Sequence, residues 1–175
     1  MKLSRLVTLA FALTAVACAS TLQVTTDYAP GTDFSKYKTF TLKHGAAARN
    51  QIAVERFENS LKNALEARGL KGVPEGGDLN VFDHFILGKD TQITSYGYGG
   101  WGGGWRWGGG AQTTQVQQIP TGTVVIDLVD SKTNTAVWRG IAKDELSTTA
   151  SPEERQKKSD AAAQKLFENF PPAAK

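Results

Sequence analysis

The residues best suited to bind another molecule lie in one glycine-rich run, YGYGGWGGGWRWGGG, at residues 96–110. It holds nine of the 18 glycines and three of the four tryptophans of the chain. Aromatic rings have flat apolar faces and a polar edge, which suits them to stack on sugars or to lie among lipid headgroups. Exposed large aromatic side chains also mark contact sites. The candidate contact residues are therefore Tyr96, Tyr98, Trp101, Trp105, Arg106 and Trp107.

A structural interpretation of this run stays open, in which it is a low-complexity hairpin tip whose tryptophans fold back on a sheet. Residues 97–102 also match the G-x-G-x-x-G pattern of dinucleotide-binding loops. That pattern requires a parallel βαβ unit and a helix start after the glycines, and neither is predicted here. We therefore expect no nucleotide cofactor.

Cys18 is the only cysteine of the chain and directly follows a secretory signal pattern at residues 1–17. The signal has Lys2 and Arg5 at its start and an apolar stretch from Leu6 to Val16. That stretch is much shorter than the roughly 20 residues of a membrane-spanning helix. The pattern predicts a cleaved signal peptide, and the lone thiol excludes an intramolecular disulfide.

Residues 15–18, AVAC, resemble the lipobox of bacterial lipoproteins, in which the cysteine is acylated with chains such as palmitate and becomes the new amino terminus. Ala19 follows the cysteine in place of aspartate, which resembles the pattern sent to the outer membrane of Gram-negative bacteria. Two or three acyl chains would hold a protein at a membrane firmly, whereas one chain is marginal. Ordinary cleavage after Ala17 or Ala19, giving a soluble periplasmic protein, is the alternative.

No residue pattern predicts catalysis or metal binding. Asp83 and His84 are neighbours on a predicted strand and point to opposite faces. Asp127 is expected to face solvent, and Asp130 begins a turn. We interpret His84 as a partly buried strand residue and His44 as a solvated loop residue. We expect a protein that is not an enzyme, without catalytic residues, metal ligands or cofactors.

The mature chain after residue 17 has 158 residues, which suits a single domain. Without Lys2 and Arg5 its net charge is about +1, against +3 for the whole chain. Charges of both signs are spread along the sequence, without the basic patch of a nucleic-acid-binding protein. No nucleic-acid partner is expected.

Alternating and helical apolar patterns predict the elements of this domain. Residues 51–68 form a helix with Val54, Phe57, Leu61 and Leu65 on one face, ended by Gly69. A second helix starts with a capping box, in which Ser151 caps, Pro152 comes first and Glu154 closes the box. The predicted strands and strand-like segments are 22–28, 37–42, 78–87, 91–96, 112–118, 121–130 and 136–145.

The predicted fold class is α+β, an antiparallel β-sheet with two helices packed on one face, preceded by the cleaved signal peptide. Ile126, Leu128 and Trp138 are expected in the core between sheet and helices. Trp138, Gly140 and Ala142 share a face, where the glycine makes room for the large ring. The expected organisation is a signal at 1–17, an anchor and tether at 18–23, and one periplasmic domain at 24–172, with 96–110 as its hairpin tip.

Five segments in this order resemble a lipoprotein family of Gram-negative bacteria known as domain-of-unknown-function family 4136. The resemblance covers about residues 24–172 and implies an α+β periplasmic domain on a lipid anchor, without any assigned activity. Many members have a short polar segment in place of the Trp/Gly run. The matching segments are DFSKYKTF at 33–40, ARGL at 67–70, GTVVIDLVD at 122–130, AVWRG at 136–140 and NFPP at 169–172.

These observations predict a lipoprotein anchored through Cys18 on the periplasmic face of the outer membrane. Its expected role is non-enzymatic, as a binding or accessory protein of the cell envelope whose partner is an envelope protein, a glycan or the membrane. The alternative is a carbohydrate- or peptidoglycan-binding module that uses Trp101, Trp105 and Trp107. The open face of the sheet is a second candidate surface.

Overall fold

The computed structural model describes residues 21–43, 50–96 and 113–172 of the 175-residue chain. The signal segment, Cys18 and His44 lie outside these ranges. A single 3₁₀ turn, Phe34–Lys36, separates the first two strands. The regular elements are β1 (Gln23–Tyr28), β2 (Thr39–Lys43), α1 (Gln51–Ala67), β3 (Lys71–Gly72), β4 (Leu79–Tyr96), β5 (Thr113–Asp130), β6 (Thr135–Glu145) and α2 (Pro152–Leu166).

The six strands form one sheet in the order β1-β6-β5-β4-β2-β3. Neighbours from β1 to β4 are antiparallel, but β2 runs parallel to both β4 and β3. The α+β class is confirmed, and the expectation of an antiparallel sheet is corrected at this edge. The reason is that α1 crosses over between β2 and β4, which returns the chain to the end of the sheet where β2 began.

The two central strands are longer than predicted. The segments 78–87 and 91–96 are one continuous strand, β4, and the segments 112–118 and 121–130 merge into β5. Pro120 does not interrupt the pairing of β4 with β5, because its carbonyl accepts a bond from the backbone N–H of Leu146 (2.8 Å), on the side away from β4. The hydrogen that proline lacks therefore faces away from the β4 ladder.

The core lies between the sheet and both helices. On β5, Leu128 stands opposite Trp138 of β6 and Ile126 stands opposite Gly140. The side chains of Leu128 and Ile126 are both fully buried. Leu61 and Leu65 of α1, with Leu166 of α2, cover them from one side and are equally buried. The predicted core residues and the placement of both helices on one face are confirmed.

Local signals set the ends of the helices. Asn50 caps α1 by accepting a bond from the backbone N–H of Ala53 (3.1 Å), and Gly69 follows the helix with φ +87°, a conformation that strains other residues. The capping box of α2 has both bonds, between Ser151 and Glu154. The end of α1 at Gly69 and the capping box of α2 confirm the sequence predictions, whereas the cap at Asn50 was not predicted.

Candidate contact site on a projecting β-hairpin

β4 and β5 extend beyond every other strand. The last β5 residue paired with β6 is Thr121, opposite Glu145. From the pair Lys89–Pro120 to the pair Tyr96–Thr113, eight residue pairs form a two-stranded ribbon, which we call the arm. At about 3.4 Å per residue, the arm projects about 27 Å from the domain.

The arm begins at a braced junction. The Lys143 ammonium of β6 lies 2.6 Å from a carboxylate oxygen of Asp90, and so links the domain to the first residues of the arm. An isolated two-stranded ribbon is at best marginally stable in water. Both strands of the arm continue from the buried sheet, which supplies the stability that the ribbon lacks by itself.

One of the predicted contact residues, Tyr96, lies at the far end of the arm. It is the last residue of β4 and pairs with Thr113. The strand pairing of both flanks confirms the hairpin, so the chain enters and leaves residues 97–112 about 27 Å from the domain. Tyr98, Trp101, Trp105, Arg106 and Trp107 lie outside the described residues.

Asp127 forms a bidentate ion pair on the sheet face opposite the helices. Its two carboxylate oxygens accept bonds from Nε and an amino group of Arg139, at 2.6 and 2.8 Å. This pairing raises the pKa of Arg139. Asp127 lies on the predicted face, but it is only 8% exposed, which corrects the expectation of a solvent-facing side chain. The guanidinium of Arg139 covers it.

Asp130 joins two turns on the helix side of the sheet. One carboxylate oxygen accepts bonds from the Tyr37 hydroxyl (2.8 Å) and the Lys36 ammonium (3.1 Å). The other accepts from the backbone N–H groups of Lys132 and Thr133, at 2.9 and 3.1 Å. These bonds, first that of Tyr37, hold the pKa of Asp130 far below its ordinary value. Asp130 therefore fixes the 3₁₀ turn to the β5–β6 turn.

Asp78 also joins two distant segments through hydrogen bonds to its carboxylate. It accepts bonds from the backbone N–H groups of Lys38 and Thr39 and from the Thr39 hydroxyl, at 2.9 to 3.0 Å. The bond from Lys38 is the main cause of a lowered pKa for Asp78. Sequence reasoning did not find this role, nor that of Tyr37. The available signal was the DFSKYKTF segment, whose residues 36–39 donate these bonds to Asp78 and Asp130.

Replacing Asp130 with asparagine is expected to lower the melting temperature at neutral pH. The folded pKa of Asp130 is lowered, so its stabilisation is complete above the unfolded pKa of about 3.9 and is lost as the pH falls toward the folded value. The difference between wild type and variant should therefore shrink below about pH 4. Thermal melts followed by circular dichroism from neutral pH to about pH 2 test this.

Tyr37→Phe is the control for this experiment, because it removes one donor to Asp130 and keeps the buried ring. It should show a smaller loss than Asp130→Asn with the same pH trend. A difference between wild type and Asp130→Asn that stays constant down to the lowest pH would contradict the role of the carboxylate.

The other candidate side chains for chemistry do not converge. Asp83 is buried on the helix side and His84 is exposed on the open face, which confirms their opposite orientation. His84 is exposed, whereas a partly buried residue was expected. Asp127 and Asp130 likewise lie on opposite faces. Within the described ranges no three metal-ligating side chains come together.

Two adjoining clefts run along the free edge of β1. The smaller, about 320 Å³, lies between β1 and α2, and the larger, about 740 Å³, lies beside the 3₁₀ turn. Asp33 in the larger cleft caps that turn by accepting bonds from the backbone N–H and the hydroxyl of Ser35, which lower its pKa. Its carboxylate therefore serves the local fold.

The fold and this site define a class: an α+β domain with a mixed six-stranded sheet, two helices on one face and a projecting β-hairpin arm. The chain belongs to the family described as Domain of unknown function (DUF4136), whose model matches residues 24–172. No described helix has the length and apolar character needed to cross a membrane. Comparison with curated proteins gave no significant sequence match.

Solved structures share the fold at low sequence identity. A PDZ domain protein from Parabacteroides distasonis ATCC 8503 is 13% identical, with a TM-score of 0.56 over 88% of this chain. The chain spans only 37% of that protein's length. PelC from Paraburkholderia phytofirmans, crystallised as a dodecamer, is 12–13% identical with a TM-score of 0.51, over 83% of this chain and 94% of PelC. These likenesses show the fold alone.

Proposed function

We propose that this protein is a lipoprotein anchored through acylated Cys18 on the periplasmic face of the outer membrane, where it acts as a non-enzymatic binding or accessory protein of the cell envelope. In this proposal the arm presents residues 97–112, with Trp101, Trp105 and Trp107, to an envelope protein or a glycan. The partner is not a nucleic acid.

The arm is the observation that carries the proposal. Large aromatic side chains normally stabilise a protein from within its core. Here three tryptophans lie in residues 97–112, which connect β4 to β5 at the far end of the arm, about 27 Å from the domain. That location suits contact with a second molecule, and the described residues by themselves form a buried core between the sheet and the helices.

The environment of the acidic residues supports a non-enzymatic role. Asp127, Asp130 and Asp78 each bind groups of the fold itself, through two, four and three hydrogen bonds. Catalytic carboxylates are instead expected to share a cleft and to have pKa values matched to proton transfer. The pKa values of Asp130 and Asp78 are instead lowered, which moves them away from the range suited to proton transfer near neutral pH.

The anchor predicts a change in mass and location. Protein isolated from membranes of a Gram-negative host should begin at Cys18 and carry acyl chains, because two or three chains bind a bilayer durably. Cys18→Ala should remove the acyl mass and release the protein from the membrane fraction. Intact-mass spectrometry of both proteins, with fractionation, makes the comparison. An unacylated wild-type chain that begins at Cys18 or Ser20 would refute the anchor and favour a soluble periplasmic protein.

If the three tip tryptophans contact a partner, the stability of the domain should not depend on them. Replacing Trp101, Trp105 and Trp107 together with alanine should change the free energy of unfolding by no more than about 0.5 kcal/mol, as for surface positions in general. Trp138 is then the only tryptophan, and its fluorescence reports the unfolding of the core. A large loss of stability would show that the rings pack on the domain, and would contradict the contact role.

Tryptophan fluorescence of the wild type and the triple variant distinguishes the two candidate partners, a glycan and an envelope protein. Stacking on a sugar should quench or shift tryptophan fluorescence when soluble peptidoglycan fragments are added to wild type, and the triple variant should not respond. A response that persists in the triple variant would come from Trp138 and contradict binding by the tip. Lack of any response in wild type would favour an envelope protein as the partner over a carbohydrate.

A further inference from the structure

We propose that the free edge of β1 binds an extended segment of a partner protein as an added β-strand, with alternate apolar side chains in the cleft between β1 and α2. We call this surface, formed by β1 and the two adjoining clefts, the edge groove. It is a second contact surface, which depends neither on the acylation of Cys18 nor on the tip tryptophans.

The first observation is that β1 lies at the end of the sheet. It pairs with β6 on one side, and no strand of the described ranges pairs with its other side. The strand at the opposite end, β3, has only two residues. β1 has six residues, which span about 20 Å. Of these two end strands, β1 is therefore the one with the length to pair with a peptide.

The hydrogen bonds of β1 show which backbone groups face outward. The backbone N–H of Ala29 donates to the carbonyl of Val137 (3.0 Å), so every second residue of the strand, counting back from Ala29, bonds to β6. In an antiparallel pair the intervening residues direct their N–H and C=O groups to the other side. Val24 and Thr26 therefore present these groups in the direction of a further strand, which is the ligand that matches such a row.

Tyr28 agrees with this direction and marks one end of the open edge. Its backbone N–H also points away from β6, and the Asp27 carboxylate accepts a bond from it (2.9 Å). Charged side chains on an edge strand limit unwanted pairing. Asp27 thus guards the Tyr28 end of the strand, and the pairing positions are Val24 and Thr26.

The second observation is that the same residues form one wall of the smaller cleft. Val24, Thr26 and Tyr28 line it from β1, and Trp138 and Leu166 also contribute to its surface. Trp138 and Leu166 are almost completely buried, so the deepest part of the cleft is apolar. Every second side chain of an added strand would point to this side of the sheet. The edge groove therefore selects a segment with apolar residues at alternate positions.

The charges of the edge groove define the rest of the partner segment. Asp27 and Asp33 line the larger cleft, and no lysine or arginine of the described residues lines it. In the smaller cleft the ammonium of Lys165 has the carboxylate of Glu168 at 3.8 Å. A basic side chain near Asp27 and Asp33 would complement this charge. The occupant is therefore an extended peptide segment with alternate apolar residues and a basic residue at one end.

A peptide selection tests the edge groove. The mature wild-type protein is exposed to a phage-displayed library of random decapeptides, and the enriched peptides are synthesised with a fluorescent label. Their affinities for wild type and variants are measured by fluorescence polarisation. We expect enriched sequences with apolar residues at alternate positions and a basic residue at one end. Failure to enrich any peptide with this pattern overturns the inference.

Thr26→Pro removes an outward N–H group of the edge. Because the backbone of Thr26 does not bond to β6, proline should leave the pairing of β1 with β6 intact. The affinity for the enriched peptides should fall about tenfold or more, since a hydrogen bond is lost and its acceptor in the peptide is left without a donor. Thr26→Val is the matched control, because it keeps the N–H and the shape of the side chain, and it should bind like wild type. Equal affinities of Thr26→Pro and wild type contradict pairing at this edge.

Methylated peptides keep the test decisive if thermal melts show that Thr26→Pro does not fold. Methylation of alternate backbone nitrogens removes the donors from one edge of an extended peptide and leaves the other edge intact. Of the two possible sets of alternate nitrogens, methylation of one should abolish binding to wild type and methylation of the other should preserve it. The same effect for both sets overturns the inference.

The triple tryptophan variant separates this proposal from the contact role of the tip. Peptides that bind the edge groove should bind equally to wild type and to the protein with Trp101, Trp105 and Trp107 replaced by alanine. Enriched peptides that all require these tryptophans would support the tip and refute the edge groove. Sedimentation that shows a dimeric wild type and a monomeric Thr26→Pro, both without peptide, also refutes it, since a second copy then occupies β1.

Discussion

Replacing Trp138 with alanine is expected to lower the free energy of unfolding by about 3–5 kcal/mol, the usual cost of truncating a large buried aromatic side chain. Trp138 is only 3% exposed. Its ring stacks on Phe167 with centroids 4.7 Å apart and meets Phe170 edge-on at 5.9 Å. The variant would therefore leave a cavity between β6 and the end of α2.

Denaturant unfolding followed by circular dichroism measures this loss, because that signal does not depend on tryptophan. Ile141→Ala is the matched control, since Ile141 lies on the same strand but on the opposite, open face. It should lose no more than about 1 kcal/mol, because much of its side chain is already in water. Equal losses in the two variants would contradict the central position of Trp138 in the core.

Gly140→Ala is expected to destabilise the protein by about 1–3 kcal/mol through overpacking. A Cβ atom at this position would lie 2.3 Å from Cη2 of Trp138 and 2.8 Å from a methyl carbon of Leu166. Both neighbours are buried, so neither side chain is free to move aside. Gly88→Ala is the control on another strand, because its nearest contact would be the Thr121 hydroxyl at 3.3 Å.

A double-mutant cycle shows whether the indole ring causes the clash. The atoms of Trp138 that approach Gly140 are Cη2 and Cζ3 of the indole, which phenylalanine lacks. Gly140→Ala should therefore lower the free energy of unfolding less in a Trp138→Phe background than in wild type. The coupling between contacting residues is typically about 0.5–3 kcal/mol. Strictly additive losses would mean that Leu166, and not Trp138, determines the cost of the extra carbon.

The relation between Trp138 and Gly140 was predictable because residues i and i+2 of a strand always share a face. The helix caps were predictable for a similar reason, since Ser151, Pro152 and Glu154 act within a single turn. The hairpin flanks also followed from their composition, and Tyr96 was correctly placed at its far end. The burial of Asp127 was not predictable, because it depends on Arg139, twelve residues away on the next strand.

The sequence by itself determined the elements, the caps and the inward face of each strand, because these depend on interactions among residues close along the chain. Only the tertiary structure decided that β2 runs parallel to β4, that Asp130 joins two distant turns, and that Thr21 lies at the base of the arm. These features depend on pairings between distant segments. Such pairings are selected by the combined packing of the whole sheet, and no local pattern encodes them.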